Sequence, residues 1–103
     1  MPFSFSASTA AEQRQELRTI IAGDIIVSAQ APDGHPLRDT HALTLSAKAC
    51  VDAGTPAIRC GGYGGIADIT SIGDAVDVPI FGLTKEGDSG VYITPTAASV
   101  KAV

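Results

Sequence analysis

The sequence has no tryptophan, only three phenylalanines and two tyrosines, and just two cysteines and two histidines in 103 residues. Cys50 and Cys60 lack CxxC spacing, and His35 and His41 stand apart from them, so no zinc site is supported. The two thiols are expected to be reduced and packed in the core, since free cysteine is among the most buried residue types. Positive charge is also sparse. Seven Lys and Arg are scattered along the chain (Arg14, Arg18, Arg38, Lys48, Arg59, Lys85, Lys101) against eleven acidic residues, for a net charge of −4. No basic patch exists for a phosphate backbone, and nucleic acid is not an expected partner. No apolar run approaches the ~20 residues of a membrane-spanning helix, so no membrane association is expected. Residues 1–9 also lack the basic segment and apolar stretch of a secretory signal. The expectation is a soluble, cytoplasmic chain, in which a structural disulfide would be out of place.

What the sequence does contain is apolar content of 45% with 17% charged residues, which excludes a disordered tail. At this length one domain is expected, spanning 1–103. Thr9 and Glu12 form a capping-box pair, Leu17, Ile20 and Ile21 recur at helical spacing, and Gly23 is placed to stop the turn, predicting a helix over 9–22. A strand is predicted over 24–29, then a loop carrying Pro32, Gly34 and Pro36. A second helix is predicted over 40–53, capped by Asp39 or Thr40, with Leu43, Ala47, Cys50 and Val51 on one face. A short strand over 56–60, a glycine turn over 61–65, a helix over about 66–76 and a strand over 78–84 follow. Thr94 and Pro95 predict a last helix start, with Thr94 as cap and Pro95 at the first helical position. Strands alternating with helices predict a parallel sheet with right-handed crossovers.

The strands share one property. Ile25-Ile26-Val27-Ser28-Ala29 leads to Gln30, Ala57-Ile58 to Arg59, and Val78-Pro79-Ile80-Phe81-Gly82-Leu83-Thr84 to Lys85. Nearly continuous apolar runs are the mark of strands covered on both faces, and in α/β barrels the working side chains stand where strands hand over to loops. Lys85 is either a solvated loop residue or an amine aimed into a pocket, where desolvation favours its neutral, basic form. Arg59, inside a strand, is expected to meet a carboxylate or a ligand oxygen, because an unpaired buried charge is costly. Gln30 alone would satisfy loop backbone equally well. Together the three are expected to point into one mouth.

Two other motifs carry less. Gly87-Asp88-Ser89-Gly90 copies the letters around the nucleophile of trypsin-like proteases, but that mechanism needs a histidine and an aspartate in a double β-barrel of about twice this length. A turn-rich loop is the expectation there. The glycines at 61–65 match neither GxxxxGK[ST] nor GxGxxG, so they read as a turn that permits close backbone approach.

The ordered set from Ile25 to Gln30, the turn through Pro36-Leu37, Asp52-Ala53-Gly54, Ala57-Ile58-Arg59, Val78 to Lys85 and Val91-Tyr92-Ile93-Thr94-Pro95 resembles the N-terminal half of the N-acetylmannosamine-6-phosphate 2-epimerase family. The resemblance implies the N-terminal part of a (β/α)8 TIM barrel, with three parallel strands and flanking helices. It implies no cofactor, and interconversion of the 6-phosphates of N-acetylmannosamine and N-acetylglucosamine in sialic-acid and amino-sugar breakdown. Lys85 matches the family's catalytic lysine. Arg59 matches a strand-two arginine that holds substrate oxygens or favours the lysine's neutral form by like-charge proximity, and Gln30 matches a sugar-binding glutamine. After the arginine, Cys60-Gly61-Gly62 departs from the acidic or amide residue of many members. The later acidic partner and phosphate site of the barrel are expected beyond the three strands read here. The expected partners are therefore an amino-sugar phosphate and either a complementing C-terminal half or further copies of the chain. Without them the chain is expected to be inactive. The competing reading is a non-catalytic α/β fragment that self-associates through open strand edges, or another phosphate-binding barrel enzyme.

Overall fold

The computed structural model describes residues 2–87, 90 and 92–103. Asp88 and Ser89 of the protease-like motif, and Val91, lie outside the described residues. The chain orders as α1 (Ala10–Ile21), β1 (Val27–Ala29), α2 (Thr40–Asp52), β2 (Ile58–Gly62), α3 (Gly65–Ala75), β3 (Ile80–Thr84) and α4 (Ala97–Ala102). The strands form one parallel sheet in the order β1-β2-β3. Three parallel strands with flanking helices are thus observed, as the sequence predicts.

Local chemistry sets the helix starts. The Thr9 hydroxyl accepts from the Glu12 backbone N–H at 3.2 Å and donates to the Glu12 carboxylate at 2.6 Å. The Asp39 side chain, rather than Thr40, caps α2 by accepting from the Ala42 N–H at 2.9 Å. Gly23 follows α1 with φ +75, a conformation that glycine adopts without a Cβ penalty.

Register divides the sheet into two faces. Val27, Ile58 and Ile80 align across the strands, as do Ala29, Cys60 and Gly82. Ala29, Ile58 and Cys60 pack with Leu43 and Ala47 of α2, Ile72 of α3 and Val76 into the core. Alternation puts Ser28, Arg59 and Phe81, aligned in their turn, on the opposite face. Leu17 of α1 meets that side near the base of β3, in an apolar hollow shared with Phe3, Phe5, Pro79, Ile80 and Phe81. The segment before α1 is held by Glu16, whose carboxylate accepts from the Ser6 and Ala7 N–H groups.

Several boundaries move relative to the sequence expectation. The first strand starts at Val27, not 24, because the chain is still turning out of α1: the Asp24 N–H donates to the Ile21 carbonyl, and the Asp24 side chain accepts from the Ile25 N–H. The third starts at Ile80, two residues after the expected 78. The second runs through Gly61 and Gly62, which pair with Leu83 and Thr84, so the expected glycine turn shrinks to Tyr63-Gly64. Glycine is required at 61, where φ is +107 and a Cβ would run into the Leu83 carbonyl. The last helix is capped by Thr96, not Thr94. Thr94 instead takes φ +45 and accepts from the Thr84 N–H at 3.1 Å, while Lys85 and Ile93 form an antiparallel bridge. Glu86 ties this return to α4. It accepts from the Ser99 hydroxyl and, at 2.6 Å, from that of Thr84, and these two bonds lower its pKa.

Both cysteines are free, Cys60 fully buried and Cys50 half-buried. Burial, helped by the nearby Asp68 charge, pushes the Cys60 thiol up from 9.0 to about 11. Thiolate at Cys60 is then about a hundredfold scarcer at pH 8 than for an ordinary thiol. Iodoacetamide at pH 8 is expected to label Cys50 first and Cys60 only after unfolding; labelling of both at one rate, followed by mass spectrometry, would contradict this packing.

Candidate active site

Gln30, Arg59 and Lys85 line one open cleft of about 420 Å³ at the C-terminal ends of the three strands, together with Ser28, Ala31, Pro32 and Tyr63. The structure therefore brings all three sequence-predicted residues to one mouth. Each arrives by strand geometry. Gln30 follows β1 by one residue and shares the face of Ser28, whose hydroxyl lies 2.7 Å from Gln30 Nε2. Lys85 follows β3 by one residue and is anchored by its own N–H, which donates to the Gly62 carbonyl at 3.2 Å. Gly62 makes room for Gln30: a Cβ there would fall on Gln30 Oε1, while Lys85 Cδ lies at an ordinary contact distance of 3.7 Å from that position. Among the described residues, Gln30 Oε1 is buried beside Gly62 with no hydrogen-bond donor.

Arg59 differs from expectation. It is exposed rather than buried, because the face of β2 that carries it is not the one covered by α2 and α3. Its charge stays hydrated and needs no carboxylate. Among the described residues the one ion pair is elsewhere, between Arg38 and Asp68. Of the two expected partners, a carboxylate or a ligand oxygen, the first is not met among the described residues, and the guanidinium lines the cleft where a ligand oxygen could reach it.

Two residues around the cleft escaped the sequence reading. Tyr63, the only aromatic within the glycine cluster, lies beneath the Lys85 ammonium, with Nζ 5.0 Å from the ring centroid. Asp68 is fully buried on α3, and Arg38 Nη2 reaches both its carboxylate oxygens at 2.7 Å. The Thr40 hydroxyl donates to the same carboxylate at 2.6 Å, and Arg38 Nη1 donates to the Ala31 carbonyl at 3.3 Å. A Cβ at Gly64 would collide with the Asp68 carboxylate. Asp68 therefore joins the loop after β1, which carries Gln30, to the turn after β2, which carries Tyr63. An acid one helical turn before Ile72, in an otherwise apolar stripe, was the available signal.

Among the described residues, no three His, Cys, Asp or Glu side chains converge as metal ligands. His35 serves the backbone, its Nδ1 accepting from the Leu37 N–H at 3.0 Å. No described helix is long and apolar enough to cross a membrane.

No protein-family model matches the chain. A Corynebacterium glutamicum protein provisionally named an N-acetylmannosamine-6-phosphate 2-epimerase is 67% identical over 91 residues, which is 88% of this chain and 39% of that protein. The family it matches is the N-acetylmannosamine-6-phosphate 2-epimerases. A Cutibacterium acnes protein of the same provisional name is 39% identical over 83 residues, 81% of this chain and 35% of its own length. The N-acetylmannosamine-6-phosphate 2-epimerase of Clostridium perfringens superposes with a TM-score of 0.77 at 31% identity, over 96% of this chain and 41% of that structure. The chain thus spans about two fifths of the length of these epimerases. Its three strand-helix units correspond to part of their barrel.

Proposed function

We propose that the cleft takes part in the interconversion of N-acetylmannosamine 6-phosphate and N-acetylglucosamine 6-phosphate by proton transfer at carbon 2. The observation that carries this reading is the convergence of Lys85, Arg59 and Gln30 from three successive strand ends on one cleft. Carbon 2 of the opened sugar lies α to a carbonyl, so its proton can be removed to leave an enolate and returned to the other face. Lys85, as the neutral amine, accepts that proton; its ammonium form can return one. Arg59, hydrated and charged in the same cleft, suits the oxygen on which negative charge grows during deprotonation. The Gln30 side-chain amide, which lines the same cleft, suits a hydroxyl or amide group of the sugar. The remaining strand-helix units of the barrel, the phosphate site among them, would supply the far side of the substrate.

The test is exchange of the carbon-2 proton for deuterium in D2O, followed by proton NMR. It is run on this chain and on the Corynebacterium glutamicum relative carrying this chain's residues in place of its own 91 matched ones. Exchange accompanied by appearance of the other epimer, lost on Lys85→Ala, is expected in the chimaera, and none from this chain alone. An unchanged rate in the Lys85→Ala protein would sink the assignment.

A further inference from the structure

We propose that Tyr63 is a positioning residue, whose ring holds the Lys85 ammonium, the form that returns the proton, at the cleft. Lysine carries its charge on a flexible four-carbon stem, and anchoring the backbone does not fix where the nitrogen lies. The Lys85 Nζ stands 5.0 Å from the Tyr63 ring centroid, inside the range in which the negative face of an aromatic ring attracts a cation. Among the described residues no carboxylate pairs with Lys85, and the Tyr63 ring is the group its ammonium lies against.

The backbone that carries the ring is held from both sides. The Gly62 carbonyl accepts from the Lys85 N–H, which ties the residue before Tyr63 to β3. On the other side, the Gly64 N–H donates to the Gly61 carbonyl at 3.2 Å, and Gly64 rests on the Asp68 carboxylate with no space for a side chain. Asp68 is fixed in turn by Arg38 and Thr40. Tyr63 is therefore half-exposed yet set on a turn with little freedom. A ring so placed restricts the ammonium to one side of the cleft, facing the space that Gln30 and Arg59 also line.

The purpose of this contact rests on the proposed proton transfer; the contact itself does not. The chain has three lysines, and Lys48 and Lys101 are exposed, which makes them internal references. In carbon–proton NMR spectra of the intact chain, the Lys85 ε-CH2 resonance is expected upfield of the other two because of the Tyr63 ring current. Tyr63→Phe keeps the displacement and Tyr63→Leu removes it. In the unsubstituted chain the ammonium is expected to favour the position over the ring about two- to fivefold, as befits an exposed cation–π contact. In the exchange assay, Tyr63→Leu is expected to lower kcat several-fold with KM nearly unchanged, and Tyr63→Phe to restore it. Three coincident lysine resonances in the unsubstituted chain would overturn the proposal, even if the leucine variant failed to fold. A displaced resonance with kcat unaffected by Tyr63→Leu would overturn the positioning role. A displaced resonance with a chimaera that exchanges no proton would instead overturn the epimerase reading, and with it the purpose but not the existence of the contact.

Discussion

Asp68→Leu is expected to destabilise the chain by about 3–5 kcal/mol, because it leaves the largely buried Arg38 guanidinium facing an apolar side chain. Asp68 is fully buried, and Arg38 is 15% exposed in its side chain. Four hydrogen bonds hang on the pair: two from Arg38 Nη2, one from the Thr40 hydroxyl and one from Arg38 to the Ala31 carbonyl. Domains of this size are stable by about 5–15 kcal/mol, so the loss approaches half of the total. Arg38→Met should cost somewhat less than the aspartate change only if its partial exposure lets water reach the orphaned carboxylate. The double variant is the sharper measurement, since replacing both charges removes the uncompensated group and should recover much of the loss. Urea midpoints of the four proteins read this directly. Additive single effects, or a loss below about 1 kcal/mol for Asp68→Leu, would show that the pair is not the strut inferred from its geometry.

That pair also marks where the sequence stopped being informative. The caps at Thr9 and Asp39 were legible because a side chain and the N–H it accepts from lie three residues apart. The three strand ends were legible because an apolar run followed by one polar residue is itself a local pattern. Arg38 and Asp68 stand thirty residues apart, and although the apolar stripe around Asp68 marks it as buried, nothing local says that Arg38 is its partner. Thr94 shows the same limit in reverse. Its Thr-Pro signature is a sound local cap, yet a tertiary partner, the Thr84 N–H, claims its hydroxyl, and the cap passes to Thr96. Gly61 and Gly62 read as a turn because glycine is poor in strands. Their reason for being there is the nearness of the Leu83 carbonyl and of Gln30, which no single-sequence pattern records. For the site, residue types and strand positions were legible. The exposure of Arg59 was not, because strand periodicity does not say which face the helices cover.

Lys85→Ala is expected to lower carbon-2 proton exchange by about 10²–10⁴, the span usually lost with a positioned general base. The argument is geometric first: an alanine leaves the cleft floor intact, because Lys85 is anchored through its backbone N–H and the bridge to Ile93 rather than through its side chain. The fold and the cleft should survive, so KM should move far less than kcat. Lys85→Arg separates charge from proton transfer. It keeps a cation that can lie over Tyr63 but offers no neutral amine near pH 7, and should be nearly as inactive as alanine. Arg59→Met and Gln30→Ala should behave differently. Each removes hydrogen bonds to substrate, so losses of about 10–100-fold in kcat/KM are expected, from the ~1.5–3 kcal/mol typical of charge-assisted bonds and less for the neutral glutamine. Arg59→Met should weigh on kcat if its partner is the oxygen that gains charge during deprotonation, and on KM if it holds a ground-state oxygen. A Lys85→Arg protein retaining most of the exchange rate would reassign the base to another group and leave Lys85 an electrostatic role alone.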